Sequence, residues 1–357
     1  MPEFEPIKSA KRSTKKKQTL AQSLFPCKGD STGEIIRKIV FLIAILVLIG
    51  ATVWVVCFYF LRPQVIQKEA DDLSFMRGES NGDVISIPIK VTNSNGETEQ
   101  KQVTVLKEYE EYIKENEDTV GYIEIYPWVK SPVVQTTDND YYLKHNFYKQ
   151  VTENGTIFAD YEIPITAETT PPNTIIYGHN LLTKNMFMPL LKYRTDGIDF
   201  LKEHYLVNFD TIYEKNQYLI FAVMLVNTSS SKGEVFPFQN YASFDSKEEF
   251  DYYVSECLDR SYYYTGIDLE YGDELLTLST CDFSTFMEDI RLVVVARKVR
   301  DDESSILDPE TFIDNSGYDE NGNTKRKLFE DYYRIYNNNK EWAGRNWDTS
   351  WIKDFKG

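Results

Sequence analysis

"LLTLSTCDF", Leu275 to Phe283, decides the fold. Leu275, Leu276 and Leu278 alternate with Thr277 and Thr280 in a run too short for a helix, and the run ends on a cysteine and then an acid. It reads as a buried strand that delivers Cys281 to its C-terminal end. After the nine-residue segment Asp282 to Ile290 comes "RLVVVARKV", Arg291 to Val299, a second continuous apolar strand opened by a cation. Strands joined by so short a segment are antiparallel neighbours, which sets Cys281 and Arg291 side by side on one rim.

The same pattern extends upstream. "VGYIEI" (Val120 to Ile125), "GTIFAD" (Gly155 to Asp160), "NTIIYG" (Asn173 to Gly178), "YLVNF" (Tyr205 to Phe209) and "YLIFAVMLV" (Tyr218 to Val226) are further short β runs with irregular connections. They predict a mostly-β domain, a closed or nearly closed barrel with peripheral helices. Ser246 and Glu249 have capping-box spacing, with the hydroxyl set for the Glu249 N–H and the carboxylate reaching back. They open a helix whose apolar stripe carries Phe250, Tyr253, Val254, Cys257 and Leu258. Leu106, Tyr109 and Ile113 predict an amphipathic helix over Val105 to Glu117, and Met186 to Tyr193 a weaker one. There are no internal repeats.

The first 38 residues hold nine Lys/Arg against four acids, a net of +5, so the rest of a chain of net −17 carries −22. Directly behind them "IVFLIAILVLIGATVWVVCFYFL", Ile39 to Leu61, has 23 residues and no charge, enough to cross a hydrocarbon core of roughly 30 Å. The run is longer than a signal-peptide core and ends in aromatic residues and Arg62-Pro63 rather than a small-residue cleavage site, so it reads as an uncleaved anchor. The cationic flank predicts a cytoplasmic N-terminus, with the acidic bulk outside and Trp54 and Tyr59 near the outer interface. Cys27 is then cytoplasmic and Cys57 lies in the span, leaving Cys257 and Cys281 outside. No disulfide framework is expected, and Cys257 reads as a buried small hydrophobe. Residues 62–104 are polar and read as a stalk with one short strand at Val84 to Val91.

Of three histidines, His204 is expected to face solvent and His145 to be structural. His179 differs: "NTIIYGHN" presents it just past a strand's C-terminal end, as "LLTLSTC" presents Cys281. A thiol is a poor nucleophile until deprotonated, and an imidazole can take its proton and return it to a leaving amine. A guanidinium is permanently charged and offers a fork of donors to an oxyanion. Each residue alone is weak evidence. The two extracellular cysteines, 24 residues apart with no paired histidines, do not match a zinc site, and no metal or organic cofactor is expected.

"TLSTC" (Thr277 to Cys281), Arg at plus ten in "RLVVVA" and the upstream "IIYGHN" together resemble the active-site signature of the sortases, cysteine transpeptidases of Gram-positive bacteria. "VGYIEI…SPVVQTTDNDYYLKHNF", "GTIFADYE" and "HNLLTKNMFMPLLKY" resemble class B in particular, over roughly Leu106 to Val299. The order, with His179 102 residues before Cys281, is unlike papain-type hydrolases. The resemblance implies a sortase-type closed barrel with Cys281 as nucleophile, His179 as general acid/base and Arg291 holding the carbonyl and oxyanion. It implies that Asn139, Leu143, Tyr177, Ser279 and Asp282 line the groove for the sorting-signal peptide.

The expected activity is cleavage of a C-terminal sorting signal after Thr and acyl transfer from a Cys281 thioester to an amine. The expected partners are surface proteins or pilins bearing the signal, and an amine of a peptidoglycan precursor or a pilin lysine; no nucleic-acid partner is expected. A thiol peptidase releasing a free acid and a non-catalytic sortase-fold binding protein are the alternatives. The expected layout is a basic cytoplasmic segment (1–38), an anchor (39–61), a stalk (62–104), a catalytic domain (105–300) and an aromatic-rich extension (301–357). The extension, unusual for class B, holds Trp342, Trp347, Trp351 and a helical stripe of Phe329, Tyr332, Tyr333 and Tyr336, expected to dock on its own domain.

Overall fold

The computed structural model describes residues 19–79, 81–92, 98–180, 186–281, 289–317, 320 and 325–328. The chain divides into two compact units, 1–65 and 66–357. In the first, the Ser31 hydroxyl accepts the Glu34 N–H at 3.3 Å and caps helix Thr32–Val56, which is followed by a π-helical turn, Cys57–Leu61. Among the described residues one helical stretch, Thr32–Met76, is long and apolar enough to cross a membrane. Lys38, just before its apolar run, is buried and neutralised, donating to Asp30 Oδ2 at 2.6 Å and the Gln22 carbonyl at 2.7 Å.

The second unit opens with the helix that ends at Met76 and an antiparallel hairpin of β1 (Val84–Thr92) and β2 (Thr98–Leu106). The strand expected at Val84 to Val91 is β1, while its partner β2 and the entering helix were not expected. Val105 and Leu106 pair with Ile85 and Val84, so the helix expected over 105–117 shortens to Glu110–Glu115. Leu73 of the entering helix is buried with Tyr109, Tyr112, Tyr122, Tyr142 and Phe147, and its carbonyl accepts the Tyr112 hydroxyl. The polar composition of residues 62–104 concealed this, because few apolar side chains anchor the segment.

Then follow β3 (Thr119–Ile125), β4 (Val129–Val134), β5 (Phe158–Ala159), β6 (Asn173–Tyr177), β7 (Leu206–Thr211), β8 (Gln217–Asn227), β9 (Tyr263–Tyr264), β10 (Leu275–Cys281), β11 (Ile290–Lys298) and β12 (Ile313–Asp314). Eight of them close a barrel in the order β10-β11-β8-β7-β3-β4-β5-β6. All seven strands expected from Val120 onward are present. Their boundaries shift, most of all for Gly155 to Asp160, of which only Phe158–Ala159 is strand. β4 was not anticipated, since Lys130, Ser131 and Pro132 break its apolar pattern.

Ile123, Val133, Ile176, Val223, Leu278 and Val294 belong to the main core cluster. A second cluster joins Phe250, Tyr253, Val254, Cys257 and Leu258 of helix Lys247–Arg260 to Met224, Val226, Val293 and Val295 of β8 and β11. Ser246 caps that helix at 3.2 Å as expected. The Glu249 carboxylate, however, reaches one residue further back, accepting the Asp245 N–H at 2.7 Å. The stretch Met186 to Tyr193 folds as a 3-10 turn, Met188–Leu191, leading into Lys192–Thr195.

The described part of the extension is docked. β12 pairs with β9, and Phe312 and Leu328 join the main core, each such burial contributing ~1.5–3 kcal/mol. The Lys327 ammonium pairs with Glu234 at 2.6 Å and Glu256 at 3.1 Å, and the Arg326 guanidinium lies 4.0 Å from the centre of the Tyr262 ring. The expected aromatic stripe and the three tryptophans lie outside the described residues.

One ion pair locks the base of the extension to β11. Arg297 is fully buried, and its Nη1 and Nη2 donate to the two Glu303 oxygens at 2.6 Å each. Removing one partner of a buried pair leaves an uncompensated charge, so Glu303→Ala should cost about 3–5 kcal/mol, read as a lowered urea midpoint. The Arg297 hydrogen bonds also hold the Glu303 carboxyl below its ordinary range. A depressed folded-state value contributes stability above the unfolded value and loses it as pH falls through the folded one. Wild-type protein should therefore lose stability as pH falls below about 4.5. Glu303→Gln should flatten that acid limb, and an unchanged limb would reject the assignment.

Candidate active site

β10 lies between β6 and β11 in the barrel, and these three strands bring the expected catalytic residues to one rim. Against β11 the register is antiparallel and pairs Cys281 with Arg291. Against β6 it is parallel, with Ser279 opposite Tyr177, and the Gly178 N–H donates to the Ser279 carbonyl at 3.2 Å. Continued two residues, that register brings His179 level with Cys281. Neighbouring strands run roughly 4.8 Å apart, so the backbones of His179, Cys281 and Arg291 are consecutive across the rim.

His179 is half-buried and held from two sides. Its Nε2 lies 3.0 Å from the Leu143 carbonyl. A carbonyl can only accept, so the contact selects the tautomer with Nε2–H and leaves Nδ1 as the basic nitrogen. Behind the ring sits Gly155, at φ +67°, where a Cβ would lie 2.9 Å from His179 Cδ2 and 2.6 Å from the Tyr142 carbonyl. Only glycine fits there. The His179 carbonyl accepts the Phe187 N–H at 3.1 Å, and a Cβ on Gly178 would strike the Phe187 ring at 2.7 Å. Arg291 is also half-buried, and its Nη1 donates to the Ile290 carbonyl at 3.2 Å.

Other sequence expectations fare differently. His145 is structural, stacked on Tyr141 at 4.0 Å with Nδ1 on the Tyr141 carbonyl at 2.7 Å. His204 is only partly exposed. Its Nε2 accepts from Trp128 Nε1 at 3.1 Å and its ring packs on Phe200, and burial pulls its pKa down. Phe200 lies one helical turn before it in sequence, whereas Trp128 comes from a distant part of the chain. Cys257 is buried, as expected, and burial pushes its thiol far above the ordinary range. Among the described residues no group of three His, Cys, Asp or Glu is placed to hold a metal ion.

No family model matches the chain. It is 33% identical over 209 residues to sortase B of Listeria monocytogenes, a match covering 58% of this chain and 78% of that protein. The chain belongs to the sortase B family. Sortase B of Staphylococcus aureus is 27% identical over 202 residues, covering 56% of this chain and 78% of that protein. Two crystal structures from Bacillus anthracis agree in fold. One, of a protein described as similar to sortase B, superposes with a TM-score of 0.51 at 27% identity, covering 66% of this chain and 96% of the other. The other, of sortase B itself, gives 0.52 at 25% identity, covering 68% and 99%.

This sortase is thus a cysteine transpeptidase with a closed-barrel fold. Four of the five residues expected along its groove are among those described. Ser279 is buried within β10, where its carbonyl serves strand pairing. Leu143 is partly buried against the tyrosine-rich cluster and contributes its carbonyl to His179. Asn139 and Tyr177 converge on a residue the sequence reading did not single out, Asp160. Asp282 lies outside the described residues.

Proposed function

We propose that this sortase cleaves a C-terminal sorting signal after Thr and passes the acyl group from Cys281 to an amine. The observation that most supports this reading is the register that aligns Cys281 with Arg291 on one side and His179 on the other. The His179 Nδ1 takes the thiol proton while its Nε2–H stays on the Leu143 carbonyl. The thiolate attacks the Thr carbonyl carbon, and the guanidinium of Arg291 stabilises the oxyanion. Collapse breaks the C–N bond, and the proton on Nδ1 leaves with the amine, giving a thioester. An acceptor amine then adds to the thioester, gives a proton to Nδ1 and expels the Cys281 thiolate.

In the same reading residues 39–61 anchor the chain, the N-terminus is cytoplasmic and the catalytic domain (105–300) works outside the membrane. The acceptor is an amine of a peptidoglycan precursor or a pilin lysine, either of which a cell-surface enzyme meets.

The test is to incubate the chain from residue 62 onward with peptides carrying Thr and an added amine, and to weigh the products. A transpeptide is expected. A free acid alone would select a thiol peptidase, and unchanged peptides a binding protein. Arg291→Lys keeps the charge and loses the planar fork, so kcat should fall about 10²–10³-fold. Near-normal turnover in Arg291→Lys would move oxyanion stabilisation to backbone N–H groups.

A further inference from the structure

Asp160 follows β5 and is buried, 6% exposed, yet no described ion pair includes it. Its carboxylate is satisfied by three neutral donors. Oδ2 accepts from Asn139 Nδ2 at 2.8 Å and from the Tyr177 hydroxyl at 2.9 Å, and Oδ1 accepts the Glu162 N–H at 3.0 Å. The backbone around it is tied in as well. The Asp160 N–H donates to the Ile175 carbonyl at 2.8 Å, and its own carbonyl accepts Gln135 Nε2 at 2.7 Å. Asn139 Oδ1 accepts the Tyr161 N–H at 3.2 Å. One carboxylate therefore joins the loop bearing Asn139 to the end of β6, where Tyr177 sits two residues before His179.

A buried carboxylate without a cation is costly unless every lone pair in use is matched by a donor. A network of this kind specifies one arrangement of its members. Burial and the adjacent Asp160 carboxylate both keep the Tyr177 phenol protonated, so it acts as a donor. Two of the three donors that converge on Asp160 belong to residues expected to line the peptide groove.

We infer that Asp160 is a positioning residue for sorting-peptide recognition, fixing Asn139 and Tyr177 as one rigid wall of the groove. The inference rests on the proposed sortase reaction and adds a residue that does not touch the peptide. An amide at this position cannot serve the three donors, because its own N–H groups oppose one of them. Asp160→Asn should loosen the wall without disturbing the nucleophile.

The experiment uses a library of short peptides with one fixed Thr and an added amine, scored by mass. Asp160→Asn should raise KM for the best-cleaved peptides about 10-fold or more, the effect of losing a hydrogen bond to a charged group, and broaden the preference upstream of Thr. Its kcat should stay near wild type, while Tm falls by a few degrees because one buried donor is left opposed. Tyr177→Phe should give part of the same KM effect, and the double variant should be no worse than Asp160→Asn alone, because the two side chains act through one bond. Wild-type KM and preference in Asp160→Asn, a loss confined to Tm, or additive effects of the two substitutions would each overturn the inference. A wild-type chain that cleaves no peptide, like its Cys281→Ala control, overturns the proposed function, and this inference with it.

Discussion

Cys281→Ala should abolish product formation and any thioacyl species, a fall on the order of 10⁵–10⁶ in turnover, while Cys257→Ala should stay within a few-fold of wild type. The contrast follows from the placement of the two thiols. Cys257 is fully buried in the cluster between helix Lys247–Arg260 and β8, with its proton held tightly by burial. A thiol that does not ionise is no nucleophile. Cys281 ends β10 beside the strands that bear Arg291 and lead to His179. Mass spectrometry of the chain from residue 62 onward, with peptide and amine, reads both variants in one assay. Residual turnover in Cys281→Ala, or total loss in Cys257→Ala at unchanged Tm, would reverse the assignment of the nucleophile.

The second large effect is expected at a residue with no side chain. Gly155→Ala introduces a methyl 2.9 Å from His179 Cδ2 and 2.6 Å from the Tyr142 carbonyl, at a φ of +67°. The conformation alone costs about 1–2 kcal/mol. The clash must be relieved by moving either the ring or the 3-10 turn Tyr141–Leu143, whose last carbonyl holds Nε2. Either movement misdirects Nδ1, and a displacement of about 1 Å can cost about 10²-fold in rate. Stopped assays well below the lowered Tm should show kcat reduced by that order with KM changed only a few-fold. Full kcat in a folded Gly155→Ala protein would mean that the ring's alignment does not limit the reaction.

The barrel strands were legible because buried strands of a closed sheet are short apolar runs between turn residues, and Leu275 to Cys281 and Arg291 to Val299 are of that kind. The strand-end placement of Cys281, His179 and Arg291 followed from the same runs. β4 was hidden by Lys130, which is exposed, and by Pro132, which is buried although proline reads as a strand breaker. β1 was legible, but β2 and the helix ahead of the barrel were hidden by polar composition. Their anchors are a few residues such as Leu73 and Val105, whose burial depends on partners distant in sequence. Asp160 and Gly155 were within quoted motifs but carried no signal of their roles. An acid after a strand and a glycine before one are ordinary loop residues until the fold brings Tyr177 to the first and His179 to the second.

The parallel contact between β6 and β10 also governs when the site comes into being. Tyr177 and Ser279 pair across 102 residues of chain, and every hydrogen bond of that ladder requires closing this long loop. Contacts so distant in sequence form late and slowly, as in other sheets dominated by non-local pairing. Until the ladder forms, His179 and Cys281 are two unrelated residues on an unfolded chain, and the thiol keeps its ordinary, weakly nucleophilic character. Refolding of a Cys257→Ala chain from residue 62 onward, followed by thiol alkylation, should therefore show Cys281 reactivity rising in step with barrel closure.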